Sequence, residues 1–268
     1  MPPNSIQHPM SEDNMTDIRT YIVTGAAGGI GGATAHRLLR TGANVLGVDI
    51  SQRRLDAFAE GCADLPGKVT TFRADLSKEE EVKGVIAHCL ETFGDLTGIA
   101  NVAGGMIGIE SASMDRPLAE IDLAYFRRTF EVNVDSAFLM CKYAEPHFVK
   151  KGYGKICNVA SLAAFANRPD LGDTAYNPAK AAVVALTQTL SILLGRSGIR
   201  VNAVAPGLVF SPKVTETFGG AYVERHLGYT ALGKFATVED EAEGIAFFLE
   251  PQSDAISGEV LRVSAGTR

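Results

Sequence analysis

The sequence predicts an α/β fold with a doubly wound parallel sheet of about seven strands. Short apolar runs alternate with helical patterns from residue 19 onward, and this alternation is typical of βαβ units. The segment 96–102 is a largely apolar run, as expected for a strand that helices cover on both faces. No linker, break in composition or internal repeat divides the 268 residues. We therefore predict a single domain over 19–268.

In the first half of the chain, short apolar runs predict strands at 21–24, 44–49, 69–74 and 96–102. A helical pattern over 30–40 separates the first two strands, and Gly42 ends it. Ser51 is placed to cap the next helix. The segment from Ser77 to Glu80 fits a capping box before a third helix.

In the second half, strands are predicted at 155–159, 199–205 and 259–263. A long helical stretch covers 123–150, and an Ala-rich helix covers 179–194. Proline is tolerated only in the first turn of a helix, so Pro178 places Tyr176 at the start of that helix. Thr237 and Asp240 have the spacing of a cap for a final helix over 237–249.

Composition and charge argue against several classes of protein. The chain has 25 Lys and Arg against 31 Asp and Glu, a net charge of −6, which disfavours a nucleic-acid partner. No uninterrupted run of about 18 apolar residues predicts a membrane span. Residues 1–18 contain three prolines and no apolar core, so they are predicted to be a disordered tail rather than a signal peptide.

Cysteine and histidine usage predicts neither disulfides nor a metal site. The four cysteines form no CxxC pair, so free or buried thiols in a reducing, cytoplasmic compartment are expected. None of the five histidines has the spacing of metal ligands.

A glycine-rich segment, TGAAGGIG at 24–31, follows the first strand and opens the first helix. Glycines at Gly25, Gly29 and Gly31 let the backbone turn tightly and approach a pyrophosphate, whose charge faces the amides of the helix N-terminus. The strand before it and the helix after it favour the dinucleotide-binding loop of a Rossmann-type fold. A generic glycine-rich turn is the alternative.

Asp49 ends the second predicted strand. A carboxylate there accepts hydrogen bonds from the adenosine ribose and repels a 2′-phosphate. Positions 28, 50 and 51 carry no Arg or Lys that would neutralise such a phosphate, and Arg53 and Arg54 are expected on the solvated helix face. The cofactor predicted is NAD, with NADP as the alternative.

Tyr176 and Lys180 lie one helical turn apart and therefore share a face of their helix. Ser161 ends the preceding strand and can come near the tyrosine. A phenol has a pKa of about 10, so a nearby ammonium must favour the phenolate if the tyrosine is to act as a base near neutrality. We expect Lys180 and the nicotinamide charge to outweigh burial and lower the pKa of Tyr176.

Further motifs follow in order along the chain, and they are Asp75-Leu76, Asn101-Val102-Ala103-Gly104, Val132-Asn133-Val134 and Pro206-Gly207. Together with the glycine segment, Ser161 and the Tyr176–Lys180 pair, they resemble the motifs of the short-chain dehydrogenase/reductase family from about Arg19 to Gly266.

This resemblance implies a role for each matching residue. Tyr176 is the acid/base, Lys180 lowers its pKa and holds the nicotinamide ribose, and Ser161 binds the substrate oxygen. Asn133 positions a water that relays the proton. The cofactor-binding residues expected from the motifs and the resemblance are Gly25, Gly28, Gly29, Ile30, Gly31, Asp49, Ile50, Asp75, Leu76, Asn101, Ala103, Gly104, Tyr176, Lys180, Pro206, Gly207, Val209 and Ser211.

The function predicted is an NAD-dependent oxidoreductase that transfers hydride between a secondary alcohol, or its ketone, and the nicotinamide. An NADPH-dependent carbonyl reductase is the first alternative, disfavoured by Asp49. A non-catalytic nucleotide-binding regulator is the second, disfavoured by the intact catalytic set. The helices beginning near Leu123 and Ala179 resemble those through which the family pairs its subunits, so a homotetramer is expected.

The substrate itself stays open at this level. Segment 208–230 contains four aromatic residues and is predicted to be a closing lid, with a self-packed surface loop as the alternative. Arg168 is expected to be exposed rather than paired with an anionic substrate. His226 is expected to face solvent.

Overall fold

In the computed structural model, which describes residues 18–107, 117–165, 173–209 and 220–267, seven strands form one parallel sheet. Their bounds are β1 Thr20–Thr24, β2 Asn44–Asp49, β3 Val69–Arg73, β4 Gly98–Asn101, β5 Gly154–Val159, β6 Ile199–Pro206 and β7 Val260–Val263. Their order across the sheet is β3-β2-β1-β4-β5-β6-β7, so the strand order reverses between β1 and β4. Ligands bind at such a reversal, at the carboxyl ends of the strands. The predicted doubly wound sheet is confirmed.

Helices cover both faces of this sheet. Their bounds are α1 Gly29–Leu39, α2 Gln52–Gly61, α3 Glu79–Phe93, α4 Leu123–Phe130, α5 Ser136–Lys151, α6 Tyr176–Gly195, α7 Gly220–Leu227 and α8 Val238–Leu249. Tyr21 and Val23 of β1 belong to one apolar cluster with residues of α1 and α8, whereas Ile22 belongs to a second with residues of α3 and α5. Alternate residues of β1 therefore face opposite layers, as the pleat of a strand requires.

The long helical stretch predicted over 123–150 is interrupted in the structure. Glu131–Asp135 forms a π-helical segment between α4 and α5. Such segments are rare, and they occur frequently at functional sites. Hydrophobic periodicity does not predict this one, because its apolar residues continue the pattern of the flanking helices. Asn133, a predicted catalytic residue, lies at its centre.

Of the three predicted helix caps, one is confirmed. The Thr237 hydroxyl accepts a hydrogen bond from the Asp240 amide, and the Asp240 carboxylate accepts one from the Thr237 amide. Ser51 occupies the N-cap position of α2, but its side chain makes no capping bond. The capping box at Ser77 is wrong, because the Ser77 hydroxyl donates to Asp75 Oδ1 instead.

By length and composition alone, α6 could cross a membrane, with a mean hydropathy of 1.3 over its most apolar window. The prediction that no segment spans a membrane rested on uninterrupted apolar runs, and one such helix is weak evidence against it. A core helix of a soluble protein passes the same test. In this structure α6 packs against β6 and against a short 3₁₀ turn at Leu162–Phe165, while its Ile192 and Leu193 side chains are exposed.

One carboxyl group lies in the core without a partner. Glu241, in the first turn of α8, is fully buried, and neither of its carboxyl oxygens has a hydrogen-bond partner in the described part of the chain. Burial, together with the charge of Asp240, raises the pKa of Glu241 to about 8. The folded protein therefore keeps a proton at neutral pH that the unfolded chain releases above about pH 4.3.

We predict that Glu241→Gln removes a pH-dependent loss of stability. Because the folded pKa lies above the unfolded one, the cost of Glu241 is absent at low pH and grows as the pH rises towards 8. The variant's advantage in free energy of unfolding should increase by about 2–3 kcal/mol between about pH 5.5 and 8. Urea denaturation of both proteins across this range measures it. A constant difference between them would contradict the protonated state.

Candidate active site

A cavity of about 610 Å³ lies at the carboxyl ends of β1, β2 and β4, and we name it the switch-point cavity. Its volume is that of a small-molecule or cofactor site. The predicted cofactor-binding residues that line it are Gly25, Gly28, Gly29, Ile30, Gly31, Asp49, Ile50, Asp75, Leu76, Ala103, Gly104 and Val209. The structure thus brings together residues from five separate segments of the sequence.

The glycine loop needs its glycines for steric reasons. Gly25 has a φ of +65°, in the left-handed region that favours glycine. A Cβ on Gly31 would lie 2.2 Å from the Gly25 carbonyl oxygen, a distance that no side chain permits. No side chain caps α1, and an uncapped helix N-terminus attracts an anion. This cradle fits the pyrophosphate of a dinucleotide.

Thr24 ties the glycine loop to the loop after β4. Its hydroxyl oxygen accepts hydrogen bonds from the amides of Val102 and Ala103, both at 2.9 Å, and donates to the Ala100 carbonyl at 3.3 Å. The two loops approach so closely that a Cβ on Gly25 would lie 3.2 Å from Ala103 Cα. The floor of the switch-point cavity is therefore rigid.

Asp49 is nearly buried, and its Oδ1 accepts hydrogen bonds from the Ser51 amide at 3.0 Å and from Arg54 Nη2 at 2.7 Å. Arg54 also lines the switch-point cavity. Arg54 is exposed, as expected, but its guanidinium also reaches back over the strand end to pair with Asp49. Arg53 is exposed, as expected.

Asp75 is held as a carboxylate on the wall of the cavity. Its Oδ1 accepts hydrogen bonds from the amide and hydroxyl of Ser77, and Arg128 Nη2 lies 3.6 Å from its Oδ2. Partial burial favours the neutral acid, but the Ser77 bonds and the Arg128 charge outweigh it and keep the pKa of Asp75 below its usual value. No local sequence signal marked Arg128, which also lines the cavity.

Some predicted cofactor residues do not reach the switch-point cavity. The Asn101 side chain is buried beneath it and donates to Asn158 Oδ1 at 2.9 Å. Pro206 and Gly207 line a different cavity. Ser211 lies outside the described residues.

That second cavity, of about 200 Å³, contains the tyrosine of the Tyr-x-x-x-Lys motif, and we name it the Tyr176 cavity. Ser161 lines it too, and its hydroxyl forms a hydrogen bond with the Tyr176 phenol. The Lys180 Nζ lies 5.7 Å from the centre of the Tyr176 ring and donates to the Val159 carbonyl at 2.8 Å. Three of the predicted catalytic residues are thus neighbours.

Asn133 completes the set from the π-helical segment. Its Oδ1 accepts a hydrogen bond from the Gly105 amide at 2.8 Å, and its Nδ2 donates to the carbonyl oxygens of Gly105 and Thr129. A Cβ on Gly104 would lie 2.6 Å from Asn133 Oδ1 and 3.5 Å from Lys180 Nζ. Asn133 therefore reaches the lysine side of the site, but both Nδ2 hydrogens are used by the backbone.

Comparison with known proteins agrees with this arrangement. A family model described as enoyl-(acyl carrier protein) reductase matches residues 25–268. The 2,5-dichloro-2,5-cyclohexadiene-1,4-diol dehydrogenase of Sphingobium indicum is 35% identical over 257 residues, which cover 94% of this chain and 98% of that protein. The chain belongs to the short-chain dehydrogenase/reductase family.

Two solved structures are similar to this short-chain dehydrogenase/reductase over nearly its whole length. A 7α-hydroxysteroid dehydrogenase complexed with NADH and 7-oxoglycochenodeoxycholic acid has a TM-score of 0.86 and 28% identity and covers 94% of each chain. An NAD⁺-bound xylitol dehydrogenase has a TM-score of 0.84 and 26% identity and covers 92% of this chain and 98% of that one. The predicted family is confirmed, and the chain is an oxidoreductase of a family that uses nicotinamide cofactors.

Burial governs the ionisation of Tyr176 and Lys180 in this dehydrogenase/reductase. Desolvation raises the pKa of Tyr176 above its ordinary value, the Ser161 hydrogen bond opposes this, and the charge of Asp173 adds to it. Desolvation also lowers the pKa of Lys180 to about 8. The expected lowering of the Tyr176 pKa is therefore not produced by the protein alone.

Asp173 is a site residue that the sequence reasoning missed. Its Oδ1 accepts hydrogen bonds from the amides of Ala175 and Tyr176, and its Oδ2 accepts one from the Tyr125 hydroxyl at 2.8 Å. It lines the Tyr176 cavity and fixes the first turn of α6, where Tyr176 lies. An acidic residue just before a predicted helix is a known capping signal and could have identified it.

The predicted lid contributes a wall to the same cavity. Tyr222 and His226 of α7 line it, and His226 is only 5% exposed, so the expectation that His226 faces solvent is wrong. Its ring stacks on Tyr222 and meets Tyr229 edge-on, so the helix buries it among its own aromatic residues. Arg168, Phe210 and Phe218 lie outside the described residues.

No group of three His, Cys, Asp or Glu side chains that could hold a metal ion occurs within the described ranges. All four cysteines, Cys62, Cys89, Cys141 and Cys157, are buried and unpaired.

Proposed function

We propose that this chain is an NAD-dependent dehydrogenase that interconverts a secondary alcohol and its ketone. The observation that carries the proposal is the contact of Ser161 with Tyr176 at the wall of a small cavity, with Lys180 one helical turn further on. The relatives named above are dehydrogenases of a cyclic diol, a hydroxysteroid and xylitol, which supports an alcohol substrate. Bound NAD would supply the hydride acceptor.

Each residue of the chain has a defined task in this reaction. The Ser161 hydroxyl binds the substrate oxygen, and the Tyr176 phenolate removes its proton during oxidation. Because burial and Asp173 raise the pKa of Tyr176, positive charge must compensate near neutral pH. Lys180 is the buried cation next to the phenol, and the nicotinamide charge adds to its effect.

Tyr176→Phe should retain NAD⁺ affinity and lose turnover. The ring remains and only the hydroxyl is removed, so kcat should fall by at least about 10²–10⁴-fold, the contribution of one acid/base group. Lys180→Ala should lose turnover and part of its NAD⁺ affinity together. Steady-state kinetics with a panel of secondary alcohols, and calorimetric titration with NAD⁺, measure both. A Tyr176→Phe enzyme with near-normal turnover would remove this mechanism.

NAD rather than NADP is proposed from the geometry of Asp49. Its Oδ1 is used by Ser51 and Arg54, while its Oδ2 accepts no hydrogen bond from the described residues and is left for a ribose hydroxyl. Arg54 supports the second candidate, an NADPH-dependent carbonyl reductase, because a guanidinium at this place can pair with a 2′-phosphate. In this structure, however, the Arg54 guanidinium is paired with Asp49.

Asp49→Ala should weaken NAD⁺ binding by about 1–3 kcal/mol, the scale of a lost charged hydrogen bond. It should also strengthen NADP⁺ binding, because Arg54 is released from its partner. In the double variant Asp49→Ala/Arg54→Ala the gain for NADP⁺ should disappear, while Arg53→Ala, at an exposed neighbouring position, serves as the control. A wild-type protein that prefers NADP⁺ would contradict the proposal.

A cytoplasmic homotetramer without nucleic-acid or membrane partners is proposed for the assembled enzyme. Ile192 and Leu193 of α6 are 80% and 67% exposed, and Phe138 and Val149 of α5 are partly exposed, so both helices carry apolar side chains on their free faces. Light scattering should give four times the chain mass of 28.4 kDa. The double variant Ile192→Glu/Leu193→Glu should give a smaller mass, and a wild-type monomer would contradict the assembly.

A further inference from the structure

The geometry of α7 points to His226 as the residue that selects substrates with a second hydroxyl group. We infer that its Nε2 accepts a hydrogen bond from a hydroxyl of the substrate other than the one that is oxidised. This inference rests on the proposed function as an alcohol dehydrogenase and specifies its substrate class, which is a cyclic diol.

The tautomer of His226 is set by its own helix. Its Nδ1 lies 2.9 Å from the Tyr222 carbonyl oxygen, one turn earlier. A carbonyl oxygen only accepts hydrogen bonds, so Nδ1 carries the hydrogen, and Nε2 of the neutral ring carries the lone pair. Nε2 is therefore an acceptor and lies on the side of the ring away from that carbonyl.

This acceptor has no partner within the protein. Nε2 is buried and forms no hydrogen bond with any described residue, although His226 as a whole is only 5% exposed. An unpaired buried polar atom costs about 1–3 kcal/mol, so native structures rarely keep one without a use. A substrate hydroxyl would remove that cost.

The imidazole is held in place at the wall of the catalytic cavity. Its ring stacks on Tyr222 with centroids 4.0 Å apart and contacts Tyr229 edge-on at 6.0 Å. The Tyr176 cavity that it lines also contains the Ser161 and Tyr176 hydroxyls. His226 therefore borders the same cavity as the groups proposed to bind and deprotonate a first hydroxyl.

The size and lining of the cavity favour a ring between these groups. Its volume of about 200 Å³ exceeds the roughly 150 Å³ of a cavity that binds benzene, so one substituted six-membered ring fits. Apolar side chains line much of the remaining wall, and they are Met106, Leu162, Leu208 and Phe235. A monohydric alcohol would leave Nε2 unpaired, and sites built to bind a hydroxyl discriminate strongly against analogues that lack it.

The test compares cyclohexane-1,4-diol, cyclohexanol and 4-hydroxycyclohexanecarboxylate as substrates of the full-length enzyme with saturating NAD⁺. Wild type should have a kcat/KM for the diol about tenfold or more above that for cyclohexanol. His226→Leu should lower the ratio of kcat/KM for the diol to kcat/KM for cyclohexanol by about tenfold. His226→Gln, whose side-chain oxygen can accept a hydrogen bond, should restore part of the preference.

An equal loss on the diol and on cyclohexanol in His226→Leu would overturn the inference, because it would show that the ring only supports the cavity. A preference for the carboxylate would overturn it as well, since that substrate needs a protonated imidazole. Calorimetric titration with the diol separates this inference from the proposed function. Absence of turnover with every alcohol refutes the dehydrogenase, whereas equal diol affinity of wild type and both variants refutes the role of His226.

Discussion

The Asn133 side chain accepts a hydrogen bond from the Gly105 amide and donates to the carbonyl oxygens of Gly105 and Thr129. These bonds join the loop after β4, which lines the switch-point cavity, to the helical layer that packs beside α6. Gly104 can pass between Asn133 and Lys180 only because it has no side chain. The buried side-chain amide of Asn133 therefore helps to hold the switch-point cavity and the Tyr176 cavity in a fixed relative position.

Tyr176 and Lys180 show why the position of a bound cofactor matters. Burial disfavours the charged form of both groups, so it raises the pKa of Tyr176 and lowers that of Lys180. Burial therefore favours the neutral form of each group, so the phenol needs a further positive charge beside it if it is to ionise near neutral pH. The nicotinamide of a bound dinucleotide would supply such a charge. The protein by itself keeps the phenol neutral and leaves its ionisation to that charge.

Polar groups without partners mark two different situations in this fold. The Glu241 carboxyl is enclosed in the core, where its raised pKa leaves it neutral and costs stability as the pH rises. The His226 Nε2 belongs to a ring that borders the Tyr176 cavity, and we propose that a substrate hydroxyl is its partner. An unpaired hydrogen-bonding group thus lowers stability at Glu241, whereas at His226 we propose that it recognises a substrate.

Local patterns in the sequence determined the order of strands and helices, the glycine loop, and the placement of Tyr176 at the start of α6. These features depend on short-range sterics and on periodicity, which a sequence displays directly. Tertiary structure alone decided the pairing of Asp49 with Arg54, the hydrogen bond between Tyr125 and Asp173, the π-helical segment at Asn133 and the burial of His226. It also decided the direction of the Tyr176 pKa shift. These outcomes depend on how the side chains pack around one another, because burial and nearby charge are properties of the packed neighbourhood and a local sequence pattern does not display them.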